Sequence, residues 1–204
     1  MKQMPDKAFD LAIVDPPYGI NASSDARGNT RHGKAMAKSK SYGKKDWDKF
    51  KPEMIYFDHL DRISNHQIIF GANHLGFFRG SPCWVVWDKD NGSNDYADAE
   101  LAFTSFDSAV RVFKYKWHGM LQEHMAHKEI RQHPTQKPVA LYKWLLKNYA
   151  KPGDTILDTH LGSGSIGIAC YDMGHDLTGY EIDKEYFDAA VKRLENHKLQ
   201  MSFI

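Results

Sequence analysis

The last fifty residues of the chain contain two apolar segments of strand length, each followed by a segment of helical pattern. The first apolar segment is DTILD at residues 154–158, and DLTGYEID at residues 176–183 is the second. A glycine-rich stretch, THLGSGSIGIACYDMG, lies between them, and the amphipathic KEYFDAAVKRLENHK follows the second. This βαβα order predicts an α/β protein with a parallel sheet.

A turn with three glycines joins the first strand of this unit to its helix. Gly162, Gly164 and Gly167 have the spacing G-x-G-x-x-G, which dinucleotide-binding turns also show. Such a turn brings ligand atoms close to backbone N–H groups at the positive end of a helix dipole. The spacing alone leaves open a dehydrogenase, and also glycines that serve only close packing.

Two acids flank this turn and favour a different ligand. Asp158 ends the first strand, where it would repel a pyrophosphate but attract an α-ammonium group. Glu181, 23 residues later, is placed to accept hydrogen bonds from both hydroxyls of a ribose. A ligand with an ammonium at one end and a ribose at the other fits S-adenosylmethionine, which we therefore predict as the cofactor.

The N-terminal stretch LAIVDPPYGI combines a buried strand with an abrupt stop. Leu11 to Val14 have the continuous apolar pattern of a strand covered on both faces. Pro16 and Pro17 end that strand, because proline has no N–H donor and fixes φ. Alone, such a stretch is equally compatible with a simple turn. In a parallel sheet, however, the DPPY stretch and the glycine turn would both lie at carboxyl ends of strands, on one edge of the sheet.

The middle of the chain continues the alternation of strands and helices. We predict a helix over PEMIYFDHLDRI, a strand over QIIFGAN, a buried strand over CWVVWDK and a half-exposed strand over AVRVFKYKW. The stretch DNGSNDYADAELAFTSFD separates the last two strands and is assigned no element, and HGMLQEHMAHKEIRQ is a linking stretch. A further helix is predicted to begin at Pro138, and the tail KLQMSFI is proposed as an edge strand.

Composition limits the class of protein. With 42% hydrophobic and 26% charged residues and a net charge of +1, the 204 residues suit one globular domain in the cytoplasm, with no signal peptide and no membrane span. Cys83 and Cys170 lie in apolar contexts, which favours reduced, packed thiols. The histidines at 118, 124 and 127 match no zinc spacing, so we predict no metal.

Positive charge is concentrated in one segment, which we predict to be a mobile basic loop over residues 19–50. Between Arg27 and Lys49 there are eight Lys or Arg residues against two acids. Such a loop suits a phosphate backbone, although a merely solvated loop is the alternative. The DNA-binding candidates are Arg27, Arg31, Lys34, Lys38, Lys44, Lys45 and Trp47.

Four motifs in this order resemble those of the β-class DNA amino-methyltransferases: DPPY at 15–18, HPTQKP at 133–138, DTHLGSGS at 158–165 and GYEID at 179–183. The resemblance implies a Rossmann-like methyltransferase sheet, mostly parallel with an antiparallel hairpin and with helices on both faces. It also implies that the catalytic motif precedes the cofactor motif along the chain. Other stretches, such as KKDWDKF, are similar to small adenine methyltransferases of phage and bacteria.

The resemblance also implies roles for individual residues. The catalytic group comprises Asp15 and the Pro16 carbonyl as acceptors for the target amino group, Pro17 in the turn, and Tyr18 stacked on a flipped base. The cofactor-binding group comprises Asp158, His160, Gly162, Ser163, Gly164 and Glu181, with His133, Thr135 and Lys137 in a segment that closes over the cofactor. Thr159 and His160 replace the usual Pro-Phe, and residues 118–132 are short for a target-recognition segment.

The function implied is transfer of a methyl group from S-adenosylmethionine to the N6 amino group of a flipped adenine in double-stranded DNA, as in restriction-modification enzymes. Asp at position 15 favours adenine, since cytosine enzymes of this type tend to have Ser there. Methylation of cytosine N4 or of RNA is one alternative. A protein that binds cofactor or DNA without turnover is another, and a homodimer is a further expectation.

Overall fold

The computed structural model describes residues 1–20, 45–76, 80–92, 97–118 and 121–201. The helices are α1 (Met54–Ile63), α2 (Ala72–Leu75), α3 (Val139–Tyr149), α4 (Ser165–Met173) and α5 (Lys184–Met201). The strands are β1 (Phe9–Val14), β2 (Ser64–Phe70), β3 (Trp84–Asp88), β4 (Ala99–Thr104), β5 (Arg111–Lys114), β6 (Trp117–His118), β7 (Leu121–Gln122), β8 (Thr155–Asp158) and β9 (Asp176–Gly179). A 3-10 turn at Met125–His127 lies between β7 and α3.

Seven strands form one twisted sheet in the order β5-β3-β4-β2-β1-β8-β9. Strand β4 runs antiparallel to both of its neighbours, and every other pairing in this sheet is parallel. The carboxyl ends of β2, β1, β8 and β9 therefore meet along one edge. The predicted sheet, mostly parallel with an antiparallel hairpin, is confirmed, and β6 and β7 form a separate small ribbon.

Both faces of the sheet are covered by helices, because the side chains of each strand alternate between them. On one face, Leu11 and Ile13 of β1 pack in the same buried cluster as residues of α3 and α4. On the other face, Ala12 and Val14 pack with α1, whose buried residues Phe57, Leu60 and Ile63 recur at helical spacing. Strand β1 is buried on both sides, as its apolar run predicts.

The sequence interpretation missed one strand and was wrong in two details. The stretch that separates the two predicted strands contains β4, which inserts between β2 and β3 through AELAFT. The half-exposed strand predicted over AVRVFKYKW is shorter, because β5 ends at Lys114. The proposed edge strand in the tail is helical through Met201, since α5 continues to that residue.

Within the described residues, no helix is long and apolar enough to cross a membrane. The same part of the chain holds no cluster of His, Cys, Asp and Glu suited to a metal ion. Cys83 and Cys170 are buried free thiols.

Candidate active site

Two adjoining cavities open at the edge where the parallel strands end. One cavity, of about 260 Å³, runs from Asp15 to the glycine turn and Glu181. The other, of about 380 Å³, is lined by Asp15, Tyr18 and the residues after β2. The two share a wall formed by Asp15, Pro17, Trp47, Thr135 and Lys137. The carboxylate that follows β1 therefore faces both spaces.

Internal hydrogen bonds hold the DPPY turn at the end of β1. The Tyr18 hydroxyl donates to Asp15 Oδ1 at 2.5 Å, and the Lys137 ammonium contacts Asp15 Oδ2. The backbone N–H groups of Tyr18 and Gly19 donate to Asp48 Oδ1 at 2.8 and 3.0 Å. The buried Asp48 carboxylate is therefore the acceptor for the two N–H groups that follow the prolines. This contact fixes the position of the Tyr18 ring.

The Tyr18 ring lies directly against the backbone after β2. Gly71 has φ +64°, and a Cβ atom there would stand 2.1 Å from Tyr18 Cε1. A side chain at this position is excluded both by the ring and by the left-handed backbone. The other side of the site is formed by His74, whose ring stacks on Tyr18 with centroids 5.2 Å apart. Tyr18 thus belongs to a short aromatic stack at the mouth of the second cavity.

The glycine turn after β8 is held in place by Glu181. The Gly162 N–H donates to Glu181 Oε2 at 2.8 Å, and the Asp183 N–H donates to Oε1 at 2.9 Å. Each Glu181 oxygen keeps a lone pair for a further donor. His160, Gly162, Ser163 and Glu181 all line the first cavity, and His133 and Thr135 face them across it. The structure brings together most of the predicted cofactor-binding residues.

Two of the predicted cofactor-binding residues lie behind the turn. Gly164 packs on α5, since a Cβ atom there would stand 2.8 Å from Ala190 Cβ. Asp158 is 1% exposed and accepts a hydrogen bond from the His160 N–H at 2.9 Å. Neither lines the cavity. Both shape the turn that does.

The buried Asp158 carboxyl makes stability depend on pH. Burial raises the pKa of Asp158 to about 7, because few groups near it compensate the charge. Between the unfolded pKa near 3.8 and the folded pKa near 7, the folded state binds more protons, so this residue destabilises the protein as pH rises. Asp158→Asn cannot ionise, so we expect it to have a higher free energy of unfolding in urea than the wild-type protein. We expect this advantage to be larger at pH 8 than at pH 5, by on the order of 2 kcal/mol.

Urea unfolding of both proteins at the two pH values measures this difference. Burial also lowers the pKa values of His133 and His160 to about 4, but both histidines are present in both proteins and cancel in the comparison. An equal margin at pH 5 and pH 8 would show that the Asp158 carboxyl carries no ionisation penalty.

Aromatic and hydroxyl side chains contact two histidines that line the first cavity. The His133 ring contacts Trp47 at 5.0 Å and Tyr186 at 4.4 Å between centroids, and Thr135 N–H donates to His133 Nδ1. Near the second histidine, Thr159 Oγ1 lies 2.6 Å from the Tyr56 hydroxyl and 3.0 Å from His160 Nδ1. Thr159 and His160, which replace the usual Pro-Phe, therefore join one hydrogen-bonded group.

Most of the predicted DNA-binding residues lie in a part of the chain that the structure does not describe. Arg27, Arg31, Lys34, Lys38 and Lys44 lie outside the described residues. Lys45 and Trp47 are described. The Lys45 ammonium is paired with Asp183 Oδ2 at 2.8 Å and Glu185 Oε2 at 2.6 Å. Trp47 lines both cavities, whereas Lys45 is not among the residues that line them.

Several residues that line the site were not predicted from the sequence. They are Asp48, Gly71, Asn73, His74, Lys89 and Glu100, and all line the second cavity. The signal that could have found Gly71 to His74 is the position of GANH immediately after β2, a strand parallel to β1. Glu100 was missed because no strand was predicted over the residues that form β4.

Comparison with known proteins finds similarity to DNA methyltransferases. A family model described as a DNA methylase, N6_N4_Mtase, matches residues 107–192, which include HPTQKP, the glycine turn and Glu181. The type II methyltransferase M.HpaI of Haemophilus parainfluenzae is 24% identical over 233 residues, covering 96% of this chain and 71% of that protein. The residues matched by the family model lie in the C-terminal half of this chain. A second relative, the type II methyltransferase M2.DpnII of Streptococcus pneumoniae, is 32% identical over 121 residues, covering 58% of this chain and 44% of that protein.

Solved structures of other proteins have a similar fold. The crystal structure of an M1.HpyAVI-SAM complex matches with a TM-score of 0.54 and 23% identity, covering 92% of this chain and 90% of that chain. PvuII DNA methyltransferase, described as cytosine-N4-specific, matches with a TM-score of 0.54 and 14% identity, covering 94% and 81%. The Rossmann-like methyltransferase fold predicted from the sequence is confirmed.

Proposed function

We propose that this chain transfers a methyl group from S-adenosylmethionine to the N6 amino group of an adenine flipped out of double-stranded DNA. The observation that carries the proposal is the shared wall of the two cavities, in which Asp15 faces both. The first cavity would take the cofactor and the second the base. A methyl donor and an amino group bound in these spaces would meet beside the Asp15 carboxylate.

The residues of the first cavity fit S-adenosylmethionine. Glu181 has lone pairs free for ribose hydroxyls, and the left-handed Gly162 keeps the turn open to a ligand. The Trp47 Nε1–H is buried against this cavity and has no hydrogen-bond partner among the described residues. A buried donor without a partner is costly, and a bound polar ligand would satisfy it. When bound, S-adenosylmethionine would supply a sulfonium methyl group, whose bond to sulfur breaks with both electrons remaining on sulfur.

The residues of the second cavity suit an unstacked base. Tyr18 and His74 present an aromatic surface, and stacking on an aromatic side chain is worth about 1–3 kcal/mol per base. That gain offsets part of the cost of extruding the base from the duplex. Base flipping is therefore part of the proposal.

The groups around the amino nitrogen would activate it. Its lone pair is delocalised into the ring, so it is a poor nucleophile until both N–H bonds are drawn toward acceptors. The Asp15 carboxylate and the Pro16 carbonyl would supply those acceptors, and the carboxylate stabilises the positive charge that develops on nitrogen. As the new C–N bond forms from the nitrogen lone pair, one amino proton passes to Asp15 and then to solvent.

The decisive test is to identify the methylated nucleoside. The protein is incubated with tritiated S-adenosylmethionine and, in parallel, with mixed-sequence duplex DNA or RNA, and each nucleic acid is then digested to nucleosides and separated. Label in N6-methyldeoxyadenosine is the expected result. Label in N4-methyldeoxycytidine, in RNA alone or in no product would overturn the adenine assignment, and the last outcome would favour a binding protein without turnover.

The role proposed for Glu181 can be tested by binding alone. Glu181→Gln removes the charge that holds two ribose hydroxyls and weakens the bond to the Gly162 N–H. We expect S-adenosylmethionine to bind about 10 to 100-fold more weakly by calorimetry, the equivalent of losing one or two charge-assisted hydrogen bonds. Glu195→Gln, on the exposed side of α5, is the matched control. Equal affinity in the two variants would remove Glu181 from the cofactor site.

Two expectations about partners also belong to this proposal. DNA contacts would come from the basic residues between Arg27 and Lys44, together with residues 118–132, where Gln122 is tied to Glu129 by two hydrogen bonds. A homodimer stays a prediction from the sequence.

A further inference from the structure

The wall of the base-side cavity contains a row of four charged side chains that alternate in sign. Asp15 contacts Lys137, whose Nζ lies 3.2 Å from Glu100 Oε2, and Lys89 Nζ lies 2.6 Å from Glu100 Oε1. The four come from separate parts of the chain: the end of β1, the segment before α3, the second residue of β4 and the residue after β3. All four line the same cavity.

Stability alone gives no reason for this row. Lys137 is only 4% exposed, and taking charged groups out of water is expensive even when they are paired. Apolar side chains of the same volume would pack between β3, β4 and β1 at no such cost. The row is placed where it can act on the one carboxylate that the proposed reaction uses.

We propose that Lys137, held by Glu100, is a positioning residue that keeps the Asp15 carboxylate ionised and fixed in direction as an acceptor. This inference rests on the proposed function. Without a cation beside it, the buried Asp15 would take up a proton, and a protonated carboxyl is a weak acceptor for the amino group. Glu100 shares the ammonium, so that Lys137 does not neutralise Asp15 fully.

The surroundings of Asp15 agree with this role. Burial raises the pKa of Asp15, and the Lys137 ammonium limits that rise. Burial would also raise the pKa of Glu100, but Lys137 and Lys89 outweigh it and lower that pKa to about 2. Glu100 therefore stays ionised and keeps its hold on Lys137. The titratable or charged groups that act on Asp15 or respond to it are Tyr18, Tyr56, Glu100, Lys137, Tyr142 and Asp158.

Two substitutions are expected to move the pH profile of methyl transfer in opposite directions. In Lys137→Met, Asp15 loses its cation, so the acid limb of kcat moves to higher pH. We expect kcat at pH 7 to fall at least about 30-fold and to recover as pH approaches 9. In Glu100→Gln, Lys137 acts on Asp15 alone, so the acid limb moves to lower pH. Lys137→Arg keeps the charge and is expected to restore most of the activity at pH 7.

The experiment measures kcat against pH with saturating tritiated S-adenosylmethionine and duplex DNA, for the wild-type protein and each variant. Lys143→Met, which breaks an ion pair with Asp172 on the far side of α3, is the control and is expected to keep the wild-type profile. A Lys137→Met protein that loses activity equally at every pH, or loses less than about threefold, would overturn the inference. If Lys137→Met does not fold, the Glu100→Gln profile decides: a shift to lower pH supports the inference, and an unshifted profile overturns it.

Failure of this inference is distinct from failure of the proposed function. A wild-type protein that labels no amino group would remove the function itself. A wild-type protein that methylates adenine, with variants whose pH profiles do not move, would keep the function and remove only the role of Lys137 and Glu100.

Discussion

Asp15→Ala is expected to bind S-adenosylmethionine but to lose nearly all methyl transfer. The cofactor-side contacts around Gly162 and Glu181 do not depend on this carboxylate. The amino group, in contrast, would lose the acceptor that stabilises its developing positive charge. Removing one such preorganised group lowers kcat by about 10²–10³-fold in well-studied enzymes, and we expect a loss of at least that size here.

Single-turnover transfer of tritiated methyl groups measures the rate, and calorimetry measures cofactor affinity. Asp188→Ala, on the exposed surface of α5, is the matched control because it removes a carboxylate of the same kind away from both cavities. If Asp15→Ala turned over within about tenfold of the wild-type rate, roughly 1.4 kcal/mol of barrier, Asp15 would not be the polarising acceptor.

Gly71→Ala is expected to disable the base-side cavity without unfolding the protein. The added Cβ atom would stand 2.1 Å from Tyr18 Cε1 and 2.2 Å from Cζ, so the ring must move. That movement breaks its stack with His74 and its hydrogen bond to Asp15. We expect methyl transfer to fall by about 100-fold or more, and the free energy of unfolding to fall by about 1–3 kcal/mol from the strained backbone.

Gly76→Ala separates the effect of backbone strain from the effect of displacing the Tyr18 ring. Gly76 has φ +68°, nearly the same backbone strain as Gly71, but the nearest atom to its Cβ position is Lys51 Nζ at 3.6 Å. This control is expected to lose stability to a similar extent and to keep the wild-type rate. If both variants transferred methyl groups equally well, the position of the Tyr18 ring would not matter for the reaction.

The sequence was most informative where local chemistry decides structure. The apolar run of β1 followed by two prolines, and the strand-turn-helix order around Gly162, predict both where strands end and which edge they share. The proposed roles of Asp15 and Glu181 then follow from their positions after the ends of β1 and β9. These features depend on neighbours within a few residues, which a single sequence displays directly.

The sequence was least informative where distant parts of the chain meet. Glu100 lies in a strand flanked by turn-forming residues, and its pairing with Lys137 depends on β4 inserting between β2 and β3. Asp48 accepts hydrogen bonds from a turn some thirty residues earlier. Asp158 was expected to face the ligand, yet it lies behind the turn and holds it through the His160 N–H.

A crystal structure with sinefungin and a duplex would test the central claim most directly. Sinefungin carries an amine where S-adenosylmethionine carries its reactive methyl group. We expect its ribose on Glu181, its amine beside Asp15, and an everted adenine on Tyr18 with its amino group within hydrogen-bond distance of the same carboxylate. A complex in which the amine end points away from Asp15, or in which the base enters elsewhere, would contradict the account.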